Sequence, residues 1–359
     1  MRPASRGRVR RNAIPLLLVL AALACSSDLA GPGLAPRSYL MGFSAFPPNF
    51  SSTALVLQVI DTWAPRADAA LMHQDVPWAA MLAGTSAAAE VRGNELNLVN
   101  YYRGKGLALV FTIDVTNGLD RSQEAPALVA AGRSISDSMI QRLYGEYVSA
   151  VDSILHPAYL GLAAETNLIR VAAPAPIYDA LVLMTNAAAA ERRLAGTTAK
   201  LYVSVQAEVA WGRLQGAPAY VGIAQDRADF PFIDALGISS YPYLAGFLQP
   251  EDLPLDYYAR IAGSTPVLVV EGGWASASTA ASTSSPALQA RYLRRQPLLL
   301  DSARAVGVFQ IDFTDLELSA FPQPYPANLP LFISLGLVDT TLAPKPALAV
   351  WDSTFARPR

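Results

Sequence analysis

Pro266 to Trp274 reads Pro-Val-Leu-Val-Val-Glu-Gly-Gly-Trp. The apolar run Val267–Val270 is too short for a helix and shows no polar alternation, so it reads as a strand buried on both faces. It stops abruptly at a carboxylate, Glu271. Gly272 and Gly273 follow, where missing Cβ atoms let other groups approach closely, and then an indole, Trp274. A strand that is apolar along its length and turns polar at its C-terminal end fits a parallel barrel, which carries its working groups on that rim.

Seven other stretches have the same character. They are Tyr39–Ser44, Ala69–Gln74, Leu107–Ile113, Tyr159–Ala164, Lys200–Gln206, Ala235–Ser240 and Val306–Ile311. Between them lie longer segments suited to helices, such as Ala127–His156 and Ser285–Ala305, with Trp63 and Trp351 placed on helices as core residues. Parallel neighbours need long crossovers, so this alternation predicts an α/β fold. Eight repeats fit a single-domain (β/α)₈ barrel (TIM barrel) better than a doubly wound sheet, which usually has about five or six strands. The loop Ala275–Ser285 follows the seventh strand and is expected to border the catalytic face.

The strand ends collect polar and aromatic residues. His73, Gln74, Asp75 and Trp78 follow strand two; Asp114 ends strand three; Glu165 and Asn167 follow strand four; Gln206, Glu208 and Trp211 follow strand five. Ser239, Tyr241 and Tyr243 follow strand six, Glu271 and Trp274 strand seven, and Gln310 and Asp312 strand eight.

Glu165 and Glu271 stand out among them, on strands that face each other across a narrow barrel. Hydrolysis of a glycosidic bond needs one carboxylic acid to protonate the leaving oxygen and one carboxylate to meet the anomeric carbon, about 5–5.5 Å apart when configuration is retained. Blander roles compete. Glu271 could cap a helix or pair with a rim cation, Glu165 could pair with Arg170, and Glu208 is a rival for either catalytic role. His73 and Asp75 either bind the innermost sugar or fix the second loop. Trp78, Trp211 and Trp274 either stack on sugar rings or pack loops onto helices.

PVLVVEGGW, GISSYPY, FQIDFTDLE and the closing SLGLVDTTLAPKPALAVWD resemble the second half of the clan A glycoside hydrolases, nearest to family 53, the endo-β-1,4-galactanases. The resemblance runs from about Tyr39 to Asp352 in short motifs. It implies an acid/base at Glu165, a nucleophile at Glu271, and a hydrogen bond from Tyr241 to the nucleophile. Asp114, Asn167, Gln206, Glu208, Trp274, Gln310 and Asp312 join His73, Asp75 and Trp78 as expected sugar contacts. The chain departs from the clan pattern in three places. Ala164 stands where an Asn usually precedes the acid/base, the usual Arg near strand two is replaced by His73 and Asp75, and the Trp at the end of strand eight is absent.

Residues 1–24 carry five arginines and no acid, then an apolar stretch from Ala13 to Ala24. This is shorter than the roughly 20 residues that span a bilayer, and it reads as an export signal. Ala22-Leu23-Ala24-Cys25 resembles a lipobox, with Cys25, the only cysteine in the chain, as the lipidated first residue. Ser26–Arg37 reads as a flexible tether, leaving 38–359 as the barrel. The expected location is the cell envelope, held by the lipid anchor alone, facing the periplasm or the cell surface. Starting at Cys25 the chain has 22 basic and 29 acidic residues, net −7, with no footprint for nucleic acid. Two histidines 83 positions apart give no zinc-hydrolase spacing, and no serine elbow, phosphate loop or dinucleotide fingerprint follows a strand. The expected partner is a carbohydrate met by a monomer that needs no metal or organic cofactor. A non-catalytic glycan-binding lipoprotein on the same scaffold competes, as does a barrel enzyme for an ionic non-sugar ligand.

Overall fold

Eight strands among the described residues close into one all-parallel barrel: β1 Leu40–Ser44, β2 Ala69–Asp75, β3 Ala108–Asp114, β4 Tyr159–Gly161, β5 Lys200–Gln206, β6 Ala235–Ser240, β7 Val267–Gly272 and β8 Ala305–Gln310. Each pairs with the next, and β8 pairs with β1. The computed structural model describes residues 35–214 and 219–359. The expected signal segment 1–24, Cys25 and the tether through residue 34 lie outside the described residues. Arg37 is buried, ion-paired to Asp68 and bonded to the Tyr39 carbonyl at the foot of the barrel. It belongs to the folded body rather than to a tether.

Alternation along the strands makes two cores. Ala69, Leu71, Val110, Tyr202, Leu268, Val270 and Phe309 form a cluster inside the barrel. Their sequence neighbours Ala70, Met72, Phe111, Val203, Val269 and Val308 join the larger core between sheet and helices. The Tyr202 ring fills the barrel centre, because a Cβ on Gly161 would lie 2.6 Å from it and one on Gly237 2.8 Å. Its hydroxyl meets Thr112 Oγ1 at 2.6 Å, where the dry interior gives way to polar side chains.

The helices follow local signals. Ser52 caps the helix Thr53–Trp63, which buries Val59, Ile60 and Trp63 on one face. Ser285 likewise caps Pro286–Ser302. The stretch 127–156 is not one helix. A turn containing Gly132 at φ +62° separates Pro126–Ala130 from Ser138–Ala150, and a π-helical turn, Val151–Leu155, completes it. No helix among the described residues is long and apolar enough to cross a membrane.

Candidate active site

The C-terminal rim gathers a connected set of charged and polar groups from β2, β3, β4, β6 and β7 or their loops. Glu165 closes the β4 segment, just beyond the three residues that pair regularly. Its backbone lies in the left-handed region, φ +49°, a conformation costing a side-chain-bearing residue about 1–2 kcal/mol. Ser204 Oγ of β5 accepts the Glu165 N–H at 2.9 Å and holds the turn. Strain of this kind persists where surrounding structure enforces it, and it concentrates at working sites.

Glu271 is aimed by a different device. Val270 points into the barrel interior, so strict alternation would turn Glu271 outward into the helix layer. Between Ile238 and Ser239 the β6–β7 register slips, and Ser239 pairs with Glu271 instead of Val270. The bulge places consecutive residues on the inner face. Gly272 makes it possible: its φ is +147°, and a Cβ there would sit 2.3 Å from the Ser240 carbonyl oxygen. Tyr241 donates to Glu271 Oε1 at 2.7 Å, and Ser239 donates to Oε2 at 3.3 Å.

Between the two carboxylates lies an ionic chain. Arg121 Nε donates to Glu165 Oε2 at 3.0 Å, and its Nη1 donates to both Asp114 oxygens at 2.7 and 2.8 Å. Asp114 Oδ2 is 3.1 Å from His73 Nε2, and His73 Nδ1 is 3.6 Å from Glu271 Oε2. Burial, and then the nearby charge of Glu271, pushes Glu165 up to about 7 against the pull of Arg121. Burial alone would raise Asp114 too, but Arg121 and His73 hold it well below the usual carboxylate range. Burial works against a charged His73, yet its bond to Asp114 and the charge of Glu271 outweigh it and raise its pKa. Asp312, beyond β8, is pushed up to about 8 by burial and by the charges of Asp315 and Glu271, against Lys345.

Of the residues expected at the site, Glu165, Glu271, His73, Asp114 and Tyr241 therefore meet in one network, with Asp312 buried beside it and Asp75 exposed at the mouth. Six others are withdrawn from sugar contact. Asn167 uses both ends of its amide on the backbone of Gln206, stitching the helix Thr166–Ala172 to β5. Gln206 accepts from Val209 N and donates to Glu208. Glu208, 0% exposed, is caged by Gln206, Ser240, Tyr257 and the Tyr241 N–H, which removes it as a rival catalytic acid. Trp274 donates to Ser284 and packs between Tyr243 and Tyr292, and Trp78 is 1% exposed within the core. Gln310 turns its amide to Gln296. Trp211, too, is taken up internally, stacked on Tyr257. The expected partner of Glu165 also changes, since Arg170 pairs with Asp226 instead.

Arg121 escaped the sequence reading. It lies in an irregular loop whose turn is set by Asn117 accepting from Leu119 N and Asp120 N, and by Asp120 accepting from Ser122. One signal pointed to it. Two acids destined for burial, Asp114 and Glu165, require a counter-cation, and the loop after strand three supplies an arginine.

No protein-family model matches the chain, and no curated protein does. Its fold is shared with solved structures. One is the exo-beta-1,4-mannosidase Op5Man5 from Opitutaceae bacterium strain TAV5, with TM-score 0.62 and 17% identity, covering 89% of this chain and 59% of that one. Another is the b-glucuronidase from Ruminococcus gnavus in complex with uronic deoxynojirimycin, with TM-score 0.54 and 13% identity, covering 89% of this chain and 50% of that one. The chain thus spans little more than half the length of these structures, and what it shares with them at this identity is the barrel.

Proposed function

We propose that the chain is a retaining glycoside hydrolase acting on a β-linked poly- or oligosaccharide. The observation that carries this reading is the pair of carboxylates held in unlike surroundings at one rim. Glu165 is pushed up to about 7 by burial and by the charge of Glu271, which suits a group that must give and take a proton. Glu271 is oriented by neutral donors, Tyr241 and Ser239, which suits a nucleophile. In the first step a Glu271 oxygen bonds to the anomeric carbon as the glycosidic C–O bond breaks. The bond's electron pair goes to the leaving oxygen, which takes the proton of Glu165. In the second, water attacks the anomeric carbon, its proton passes to Glu165, and the glycosyl–Glu271 bond breaks. His73, Asp75 and Asp312 are the polar groups proposed to meet sugar hydroxyls.

The shared fold with a mannosidase and a glucuronidase supports a sugar substrate. The resemblance to family 53 makes β-1,4-galactan the first polymer to try. A pure glycan binder gains nothing from a strained backbone at Glu165 or from a bulge that turns Glu271 inward. We also propose that the protein is exported and lipid-anchored at Cys25 in the cell envelope. Palmitate labelling that Cys25→Ser abolishes would support this; labelling that survives the substitution would end it.

The deciding experiment screens the full chain on β-linked glycans and aryl glycosides alongside Glu165→Gln and Glu271→Gln. Glu271→Gln is expected to lose roughly 10⁴-fold or more, and Glu165→Gln about 10²–10⁴-fold on substrates with poor leaving groups. Turnover that persists in both variants overturns the assignment.

A further inference from the structure

We propose that Arg121 is a positioning residue that selects which oxygen of Glu165 carries the catalytic proton. It fixes Oε2 as the ion-paired atom and leaves Oε1 to face the glycosidic oxygen. This rests on the hydrolase reading above.

Glu165 Oε2 accepts from Arg121 Nε at 3.0 Å. Oε1 accepts from no described residue, and it is not among the buried polar atoms that lack a partner, so it borders open space. A carboxylic acid whose one oxygen is held by an N–H donor keeps its proton on the other, because the donor's hydrogen already occupies the first. The arginine cannot swing away to follow the proton. Its Nη1 is bound to both oxygens of Asp114 and lies 3.3 Å from Thr116 Oγ1, and its side chain is 4% exposed. Asp114 is in turn bound to His73 on β2, so the guanidinium is fixed from the far side.

The same geometry matters to the proton's return. When Glu165 gives its proton to the leaving oxygen it becomes an anion in a buried site beside Asp114, while Glu271 is taken up in the glycosyl ester. The guanidinium is the one cation in direct contact with that new charge among the described residues. From β3 and its loop the groups facing Glu165 are Asp114 and Arg121. From β7 it is Glu271 and from β6 Tyr241, while His73 stands one bond further off. Two of these five, Asp114 and Glu271 before it attacks, are carboxylates, so without Arg121 the charge around Glu165 opposes its ionisation. A fixed cation beside a developing anion lowers the barrier without reorganisation during the reaction.

Two variants of the full chain test this, Arg121→Gln and Arg121→Lys. In Arg121→Gln the basic limb of the kcat/KM profile is expected to move to higher pH by about 1–3 units, since a lost cation makes the acid harder to ionise. Its kcat should fall more on alkyl glycosides, which need a proton at the leaving oxygen, than on dinitrophenyl glycosides, which do not. Arg121→Lys keeps the charge but cannot reach both acids, so its basic limb should stay within half a unit, roughly, of the parent while turnover drops. An unmoved limb in Arg121→Gln with equal losses on both substrates would overturn the proposal. Carbon-13 titration of the Glu165 carboxyl in the parent and Arg121→Gln chains separates this outcome from failure of the hydrolase reading. An upward shift in a chain that cleaves no glycoside sinks the hydrolase reading, and with it the catalytic proton. An unshifted carboxyl in an active chain sinks the role of Arg121 alone.

Discussion

Glu165 and Glu271 occupy the same rim, yet the protein places them by opposite means. Glu165 sits on a single residue in left-handed backbone at the end of the shortest strand, and an arginine holds its side chain. Glu271 sits near the end of a six-residue strand, turned inward by a register slip, and a tyrosine and a serine hold its side chain. On the proposed mechanism the charged clamp falls to the group that gives and takes a proton, and the neutral clamp to the nucleophile. Two identical residue types are thus held in unlike surroundings, and the tasks proposed for them differ accordingly.

The comparison can be broken first at the bulge. Gly272→Ala places a methyl group where the Ser240 carbonyl oxygen lies 2.3 Å away, at a φ of +147° that only glycine adopts freely. The β6–β7 register should shift and carry Glu271 with it, costing about 10²-fold or more in kcat/KM. The melting temperature should fall as well. Because the charge of Glu271 helps to push Glu165 up, the Glu165 carboxyl should titrate lower in carbon-13 spectra once Glu271 is carried away, and an unmoved titration would show that Glu271 had kept its place.

Tyr241→Phe removes the 2.7 Å donor to Glu271 and leaves the bulge in place. A hydrogen bond to a charged group is worth about 1.5–3 kcal/mol, so kcat/KM should fall about 10- to 100-fold with little change in melting temperature. An effect confined to KM would mean that Tyr241 serves substrate binding rather than the nucleophile.

The smallest expected effect concerns Asp312. Its carboxyl is pushed up to about 8, above its unfolded value of 3.8, so the folded chain holds a proton there that the unfolded chain has released. For a raised carboxyl the stability contribution is present below the unfolded pKa and lost as pH rises through the folded one. Asp312→Asn should therefore raise the melting temperature by roughly 2–4 °C at pH 8.5 and by much less at pH 4. An equal change at both pH values would mean that Asp312 is not buried as a neutral acid.

The eight strands were legible because each is a short apolar run whose ends are marked by polar residues, and burial on both faces leaves no other reading for such a run. Glu165, Glu271, His73 and Asp114 were legible as rim residues on the same grounds. What could not be read was which rim residues face the opening. Asn167, Gln206 and Glu208 have the residue types of sugar contacts, but each spends its hydrogen-bonding capacity inside the wall, because buried amides and carboxylates find the nearest backbone and hydroxyl partners first. Trp78 and Trp274 followed strand ends as expected but went to the core, where a large ring buries more area than a rim offers.

The order of strands, the parallel closure and the choice of rim were set by local patterning, which needs only period and length. Arg121 and the inward turn of Glu271 were decided by tertiary structure. The first depends on a loop folding back until a cation meets two acids 7 and 44 positions away in the chain. The second depends on a register slip between two strands that no single strand contains. Both arise from interactions between segments, and the residues of either segment alone do not encode them.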